Sequence, residues 1–548
     1  MDHSTDEESR IGADGAKDIR EEKPEKPLSS RNNDPPQERH ITWLDTLRHY
    51  EGALDRKLGI EARAVQRKTP EDRDPQYAVW HNQAVMFLLW MSSTLNLACF
   101  ATGFLGTALG LDLRTSLTII TTAAFLGSAV PGWCATLGPS TGLRQISISR
   151  YSLGWWPSKA AAILNVIGQI GWSSVGSITS GLALAAVSDG AIHLEIGVVL
   201  STAISFVVSI IGLKAVFAYD KFAGLVMAFV FITLYTEAVP AVQQSQSHSQ
   251  AQAQPTTPLQ SVLSGPAKTA ASLKLFSVVY GSSVSWASIV ADYYVEYPVS
   301  TSRIKIFLLT TLGLALPTCF AMSLGAVVSS ALSSRPAWSA AYNTGGIGFL
   351  IQTIIYPTGL AKFLLVLLAF SGIATNSISF YSASLSIQQF SRKLAVVPRF
   401  IWTVGLLIAV VLLSLVGRDK LLVFLQNFLG LLGCWVTSFV AVMVVEHYLF
   451  RHGLRRCCAD YDLEAWDTRE KMPVGVGGGL GFVAGIVGGL LGFSSSWYTG
   501  VVAKLIPGGQ EDGTGVRRYG DVGFEMAFLC AVVVFIPARW VERRVIRR

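Results

Sequence analysis

Three features of the 548-residue chain predict an all-α integral membrane protein of about twelve transmembrane helices. Hydrophobic residues make up 51% and charged residues only 15%, with a mean hydropathy of +0.43, a balance too apolar for a water-soluble protein of this length. Between Ala84 and Trp540, apolar runs of roughly 18 to 25 residues recur, each long enough at about 1.5 Å per residue to cross a hydrocarbon core about 30 Å thick. The first 80 residues are polar and mixed in charge, so the apolar character is confined to the remainder of the chain.

Residues 1–80 are expected to be a disordered cytosolic tail, because a segment with so few large apolar side chains cannot offset its ordering entropy by burial. Within it, residues 40–65 place Trp43, Leu47, Tyr50, Leu54 and Leu58 at helical spacing. This amphipathic stretch either docks on the cytosolic face or on lipid, or is a solvent-exposed helix that merely precedes the membrane. No basic start, short apolar stretch and small-residue cleavage site precedes the first run, so a removable signal peptide is not expected.

The predicted crossings lie at 84–110, 115–136, 159–187, 192–213, 219–240, 272–291, 304–331, 361–390, 400–416, 421–449, 475–493 and 522–541. Loop charge orients them. Arg144, Arg150 and Lys159 follow the second, Arg392, Lys393 and Arg399 the eighth, and Arg451, Arg455, Arg456, Arg469 and Lys471 the tenth, which places those loops in the cytosol. The polar 241–271 loop, with its run QQSQSHSQAQAQPTTP, is then extracellular, 450–474 is a cytosolic loop, and the 542–548 terminus is cytosolic like the N-terminus. The expected location is the plasma membrane.

Composition also narrows the function. The formal net charge of +7 comes from loops and chain ends, with no basic face carrying interleaved aromatics, so a nucleic-acid partner is not expected. The seven cysteines show no paired metal-ligand spacing, which predicts neither structural zinc nor a disulfide framework. Cys457 and Cys458, beside Arg455 and Arg456, have a setting that permits S-palmitoylation, although unmodified loop cysteines are the commoner case. The eight histidines form no catalytic cluster, and His447 and His452 have no third ligand nearby, so an enzyme is not expected. Asp220, Asp292 and Glu446 fall at helix ends, with Glu237 and Glu525, and most of these acids read as solvated boundary residues. Nothing in the sequence reports the oligomeric state.

The most specific motif is GPSTGLRQISISRYSLGWW, Gly138 to Trp156, too polar and glycine-punctuated for a simple loop. At Gly138, Pro139, Thr141 through Gln145, Ser149 through Ser152 and Gly154 it resembles the signature of fungal purine–cytosine permeases, the nucleobase cation symporter-1 family. Gly59 to Gln76, Tyr280 to Arg303 and Asn427 to Arg451 carry further resemblance. The resemblance implies a five-plus-five inverted repeat, 84–240 and 272–449, with 475–541 as two extra peripheral helices, and a break near the middle of the first helix of each repeat. Gly103, Gly106, Gly110 and Gly281 are the candidates for those breaks, beside a packing role.

The family also implies the cargo, a small planar heterocycle such as a purine nucleobase or cytosine, imported by alternating access from a lipid-embedded site without an organic cofactor. Trp172 and Trp286 match its two ring-stacking tryptophans. By helical spacing Gln169, Trp172, Ser173 and Gly176 share one face. The chain departs from the family pattern where a side-chain amide usually follows the first tryptophan by four residues and Gly176 stands here. It departs again at Ser285, at Thr94, and in the eighth helix, where Thr375 to Ser382 retain Asn376 as the only amide. Gln169, Ser173, Ser283 and Asn376 are therefore the candidate polar groups. Pyridoxine-like compounds, nucleosides and allantoin stay open as cargo, as does a transporter-like receptor that binds without moving its ligand. An amino-acid carrier of the same fold is the nearest rival among transporters. The resemblance implies proton coupling, with Asp220 as a candidate for coupling or gating. Ser371 and Thr375, at i and i+4, could instead present hydroxyls to sodium.

Overall fold

Apolar helices dominate the computed structural model, which describes residues 66–211, 213–251, 263, 265–452, 460–511 and 517–546. The amphipathic segment 40–65, Cys457 and Cys458, and most of the 252–264 stretch lie outside the described residues.

The first predicted crossing is broken into α1 (Trp80–Thr94), α2 (Leu97–Gly103) and α3 (Leu105–Ala108). A bend of 58° separates α1 from the helices after it. The cause is local. Ser92, Ser93 and Thr94 return their hydroxyls to the carbonyls of Leu89, Leu89 and Trp90, competing with the helix ladder. Asn96 then starts a new helix by accepting from the Cys99 N–H at 2.9 Å.

Next come α4 (Leu113–Ala135), the short α5 (Leu137–Thr141) and α6 (Gln145–Leu153), and the long α7 (Pro157–Val187), opened by a proline whose missing N–H costs nothing there. Helices α8 (Leu194–Ile211) and α9 (Leu213–Ala251) complete the first half. In the second half, α10 (Gly265–Val284) unwinds into tight turns at Ser285–Ser288 and Val290–Tyr293. Beyond them lie α11 (Arg303–Ser330), α12 (Pro336–Ile354), α13 (Thr358–Phe390), α14 (Arg392–Val396), α15 (Arg399–Gly417) and α16 (Leu421–Val445). A hairpin of β1 (Pro507–Glu511) and β2 (Arg517–Tyr519) separates α17 (Val476–Gly492) from α18 (Gly523–Val545).

Each expected crossing is helical over most of its length, the first across α1 to α3 and the sixth across α10 and its unwound turns. Among the described residues, seven helical stretches are long and apolar enough to span a bilayer, eight when the bent first helix is one span. One of the seven, Arg399–Phe450, contains both α15 and α16. The breaks do sit in the first helix of each expected repeat, but not at the glycines. Gly103 and Gly281 serve close packing instead: an added Cβ would lie 2.1 Å from the Met322 carbonyl oxygen of α11 and 2.0 Å from the Leu429 carbonyl oxygen of α16, respectively. The same addition at Gly106 would meet the Ser116 hydroxyl at 2.5 Å, and Gly110 turns the chain at φ +80°.

Helix α12 and the hairpin are additions to the expected pattern. Gly345 and Gly346 kink α12, which packs on α7 and α13, and the hairpin packs on α10.

Two acids expected to be solvated are buried and bonded. Glu446, 2% exposed, takes a two-pronged contact from Arg539 at 3.0 Å on each oxygen and a third contact from Arg451 at 3.1 Å. Asp292, 3% exposed, accepts from the Gln145 N–H at 2.7 Å, capping α6. Burial without such partners would cost several kcal/mol, which is why these charges survive only as bonded ones. Glu542 accepts from the N–H groups of Gly475, Val476 and Gly477 and from Arg539 at 3.1 Å, fixing the start of α17. A second buried pair, Lys274 Nζ to Asp521 Oδ2 at 2.8 Å, ties α10 to the approach to α18. The last two helices are thus fastened to α16 and α10 by desolvated charge.

Candidate substrate site

The unwound turn after α10 and the middle of α7 bring the two expected tryptophans together. Trp172 and Trp286 lie with ring centroids 6.1 Å apart and planes 23° from parallel. Phe428 of α16 meets Trp172 edge-on at 5.9 Å, and Trp90 of α1 meets Trp286 edge-on at 5.8 Å. The Trp172 indole N–H donates to Ser285 Oγ at 3.1 Å, a bond that fixes the tilt of the first ring. A planar ring between two aromatic faces needs about 3.5 Å on each side, so the pair must part by about 1 Å to hold one.

Polar groups surround the pair on α7 and α13. Gln169 donates from Nε2 to Asn165 Oδ1 at 3.1 Å, while its own Oε1 is buried and unpartnered. Ser173 Oγ, one turn along α7, is likewise buried without a partner. Ser283 Oγ is also buried without a partner, and the Ser283 Cβ lies against α4, where a Cβ added at Gly127 would meet it at 2.8 Å.

Asn376 occupies the space that Gly176 leaves. A Cβ on Gly176 would lie 2.3 Å from Asn376 Oδ1. The Asn376 amide bonds to Ser177 Oγ at 3.0 Å, and in its better-satisfied orientation also donates to the Ser173 and Gly372 carbonyls at 3.0 and 3.3 Å. The amide absent from α7 is therefore supplied from α13, but it is spent on holding the two helices together.

The break between α1 and α2 is closed by side chains. Asn96 Nδ2 donates to the Ser93 carbonyl at 2.7 Å and to Thr375 Oγ1 at 3.2 Å, and Thr375 itself donates to the Ser93 carbonyl at 3.2 Å. Ser371 returns its hydroxyl to the Leu368 carbonyl at 2.6 Å, so it does not join Thr375. The side chain of Asp220 lies outside the described residues.

The long motif forms a junction at one end of the bundle. Arg144 donates to the Asp292 carbonyl at 3.0 Å and lies over the Tyr381 ring, Ser147 donates to Gln389 at 3.1 Å, and Arg150 donates to the Gln389 carbonyl at 3.0 Å. It thereby joins α6 to the end of α10 and to α13. The 66–78 stretch crosses this junction. The Lys68 N–H donates to the Gly142 carbonyl at 2.9 Å, Lys68 pairs with Glu296 at 2.9 Å, and Arg73 donates to the carbonyls of Pro139 and Tyr297. Burial lowers the Arg73 pKa, and the Glu296 charge opposes that shift.

The resemblance indicates Trp172 and Trp286 and helical spacing adds Gln169, but neither indicates Asn165 and Ser285 as their bonded neighbours, nor Asn96 at the break in the first helix. Asn165 stands four residues before Gln169, on the same helical face, and that i, i+4 pair of amides is the signal that could have found it.

Comparison with known proteins finds relatives over most of the chain. The vitamin B6 transporter TPN1 of Saccharomyces cerevisiae is 29% identical over 531 residues, covering 89% of this chain and 88% of that protein. The purine-cytosine permease fcyB of Emericella nidulans is 30% identical over 493 residues, covering 89% of each. Among solved structures, the nucleobase-cation-symport-1 transporter Mhp1, closed with bromovinylhydantoin bound, matches with a TM-score of 0.58 at 14% identity, covering 88% of this chain and 96% of its own. A Na+-coupled sialic acid symporter matches with a TM-score of 0.57 at 13% identity, covering 91% and 98%. Both share this fold. Residues 79–511 match the model of a family of membrane transporters described as permeases for cytosine/purines, uracil, thiamine and allantoin, and the chain belongs to that family.

Proposed function

We propose that this transporter imports a planar nitrogen heterocycle, such as a purine nucleobase or cytosine, across the plasma membrane by proton symport, with both termini cytosolic. The observation that carries the reading is the near-parallel pair Trp172 and Trp286, one on a continuous helix and one on the unwound turn of a broken helix. Stacking on two aromatic faces contributes about 1–3 kcal/mol beyond area burial, a preference for flat rings that aliphatic cargo does not share. Gln169 and Ser173 supply the polar edge. Closure over the ring would reseat Trp286 against Trp90 and so couple cargo to the break in the first helix.

Proton rather than sodium coupling is supported by Asn96, whose amide nitrogen already bonds the two oxygens, Ser93 O and Thr375 Oγ1, that a cation at this break would draw on. A second reading, a hydroxylated pyridine such as pyridoxine, is favoured by one observation: the Asn376 amide is engaged by α7, leaving an acceptor and a hydroxyl rather than two amides for the ring. Similarity to the yeast vitamin B6 transporter is in line with it.

The experiment is uptake of radiolabelled nucleobases, nucleosides, allantoin and pyridoxine in cells lacking their own carriers, across external pH and with sodium replaced by choline. Saturable, acid-stimulated uptake of one heterocycle, with KM raised about tenfold or more in Trp172→Ala and Trp286→Ala, is the expected result. Surface-expressed protein that moves none of these compounds would overturn the proposal.

A further inference from the structure

The polar network around Trp172 converges on a residue outside the stacking pair. Asn165 is 1% exposed and bonds to three elements at once. Its Nδ2 donates to Ser386 Oγ of α13 at 2.8 Å, and its Oδ1 accepts from Ser288 Oγ at 2.7 Å and from Gln169 Nε2 at 3.1 Å. Ser288 belongs to the unwound turn that carries Trp286, so Asn165 joins α7, α13 and that turn.

This arrangement sets which end of Gln169 is free. With Nε2 held by Asn165, Oε1 points away from it, buried and unpartnered. A buried acceptor left without a donor is costly, so the site is built for a ligand that brings one. The neighbouring polar groups cannot take that role. Asn376 is bonded to α7, Thr375 to Ser93 and Asn96, and Ser285 to Trp172 and the Ser282 carbonyl. Ser173 Oγ, four residues on from Gln169, is the other open group on this face.

We propose that Asn165 is a positioning residue that holds Gln169 with its carbonyl toward the stacked ring, so that the transported heterocycle must present an N–H or O–H donor on the edge facing α7. The proposal rests on the reading of the tryptophan pair as the cargo site. It adds a chemical requirement that stacking alone does not impose: flat rings without a donor on that edge are rejected.

The test compares each imported ring with its methyl-capped counterpart: cytosine with 1-methylcytosine, hypoxanthine with its N-methyl forms, pyridoxine with its 3-O-methyl ether. The native transporter should prefer the uncapped member, by about tenfold or more in KM, wherever the methyl group blocks the donor that faces α7. Asn165→Ala should raise KM for that member and bring the ratio toward unity, while Vmax per surface molecule stays within about twofold. Asn165→Asp, which keeps an acceptor for Gln169 Nε2, should retain the ratio. A purely structural Asn165 would lower surface amount or Vmax and leave the ratio intact, and that result overturns the proposal. Should Asn165→Ala fail to reach the surface, Ser288→Ala and Ser386→Ala remove its partners singly, and a ratio unchanged in both overturns it equally. Trp172→Ala separates the two readings: normal KM there removes the cargo site itself, whereas a raised KM with an unmoved ratio in Asn165→Ala removes only the positioning role.

Discussion

Replacing Lys274 by Met tests how the last two helices are held. Asp521 is fully buried and accepts from Lys274 Nζ at 2.8 Å, Gly523 N at 3.0 Å, Ser277 Oγ at 3.2 Å and Ser494 N at 3.3 Å. Lys274 in turn donates to the Ser494 carbonyl and lies 4.8 Å over the Phe493 ring. Breaking a buried pair by removing one partner costs about 3–5 kcal/mol, because the remaining charge stays desolvated. Three donors remain on Asp521 in Lys274→Met, which puts that variant near the lower end, about 3 kcal/mol. Asp521→Asn leaves the lysine with a carbonyl and a ring face but no anion, and belongs near the upper end. The double variant removes both charges and should recover about 2 kcal/mol or more relative to the sum of the singles. Thermal unfolding of the purified protein in detergent, followed by tryptophan fluorescence, reads the outcome: the native protein melts highest, and the double variant loses less than the two single variants combined. Single variants that melt with the native protein, or a double variant whose loss equals the sum of the two, would refute the argument that the pair is a desolvated unit.

Three other perturbations have definite outcomes. Gly281→Ala places a Cβ 2.0 Å from the Leu429 carbonyl oxygen, and should cost about 1–3 kcal/mol by forcing α10 off α16, read as a lower melting temperature. Asn96→Asp removes the amide donor and sets a carboxylate against Ser93 O and Thr375 Oγ1, so uptake should fall and become stimulated by sodium, measured against choline medium. Arg73→Ala removes the contacts of the 66–78 stretch with the carbonyls of Pro139 and Tyr297, and should speed cysteine labelling of a reporter placed at Ser140 without altering cargo KM by more than about twofold.

Much of the architecture was legible because the bilayer demands it. A segment that must bury its own backbone polar groups in hydrocarbon shows that need in its hydropathy, so the twelve apolar stretches are helical over most of their length. The bonding of the buried acids was not legible, since Glu446, Asp292 and Asp521 carry no local mark of the partners that distant segments bring to them. The breaks were misplaced for a related reason. Glycine permits a bend, but the 58° turn after Thr94 comes from three hydroxyls bonding backward and one asparagine capping forward, a pattern visible only when the side chains are counted as competitors of the backbone. Helix α12 escaped because a Gly-Gly step divides its apolar surface, and the hairpin because its strands are short and glycine-rich. At the site, the stacking tryptophans were readable from motif and spacing. The fate of Asn376 was not, because it depends on what is missing at Gly176.

That pairing of an empty position with a displaced amide means that positions 176 and 376 encode one chemical decision between them. In this chain any side chain larger than hydrogen at 176 would have to displace Asn376, because its first carbon would lie against the amide oxygen. A substitution at either position is therefore also a change at the other, and the two have to be varied together before the polar lining of α7 and α13 can be ascribed to either residue.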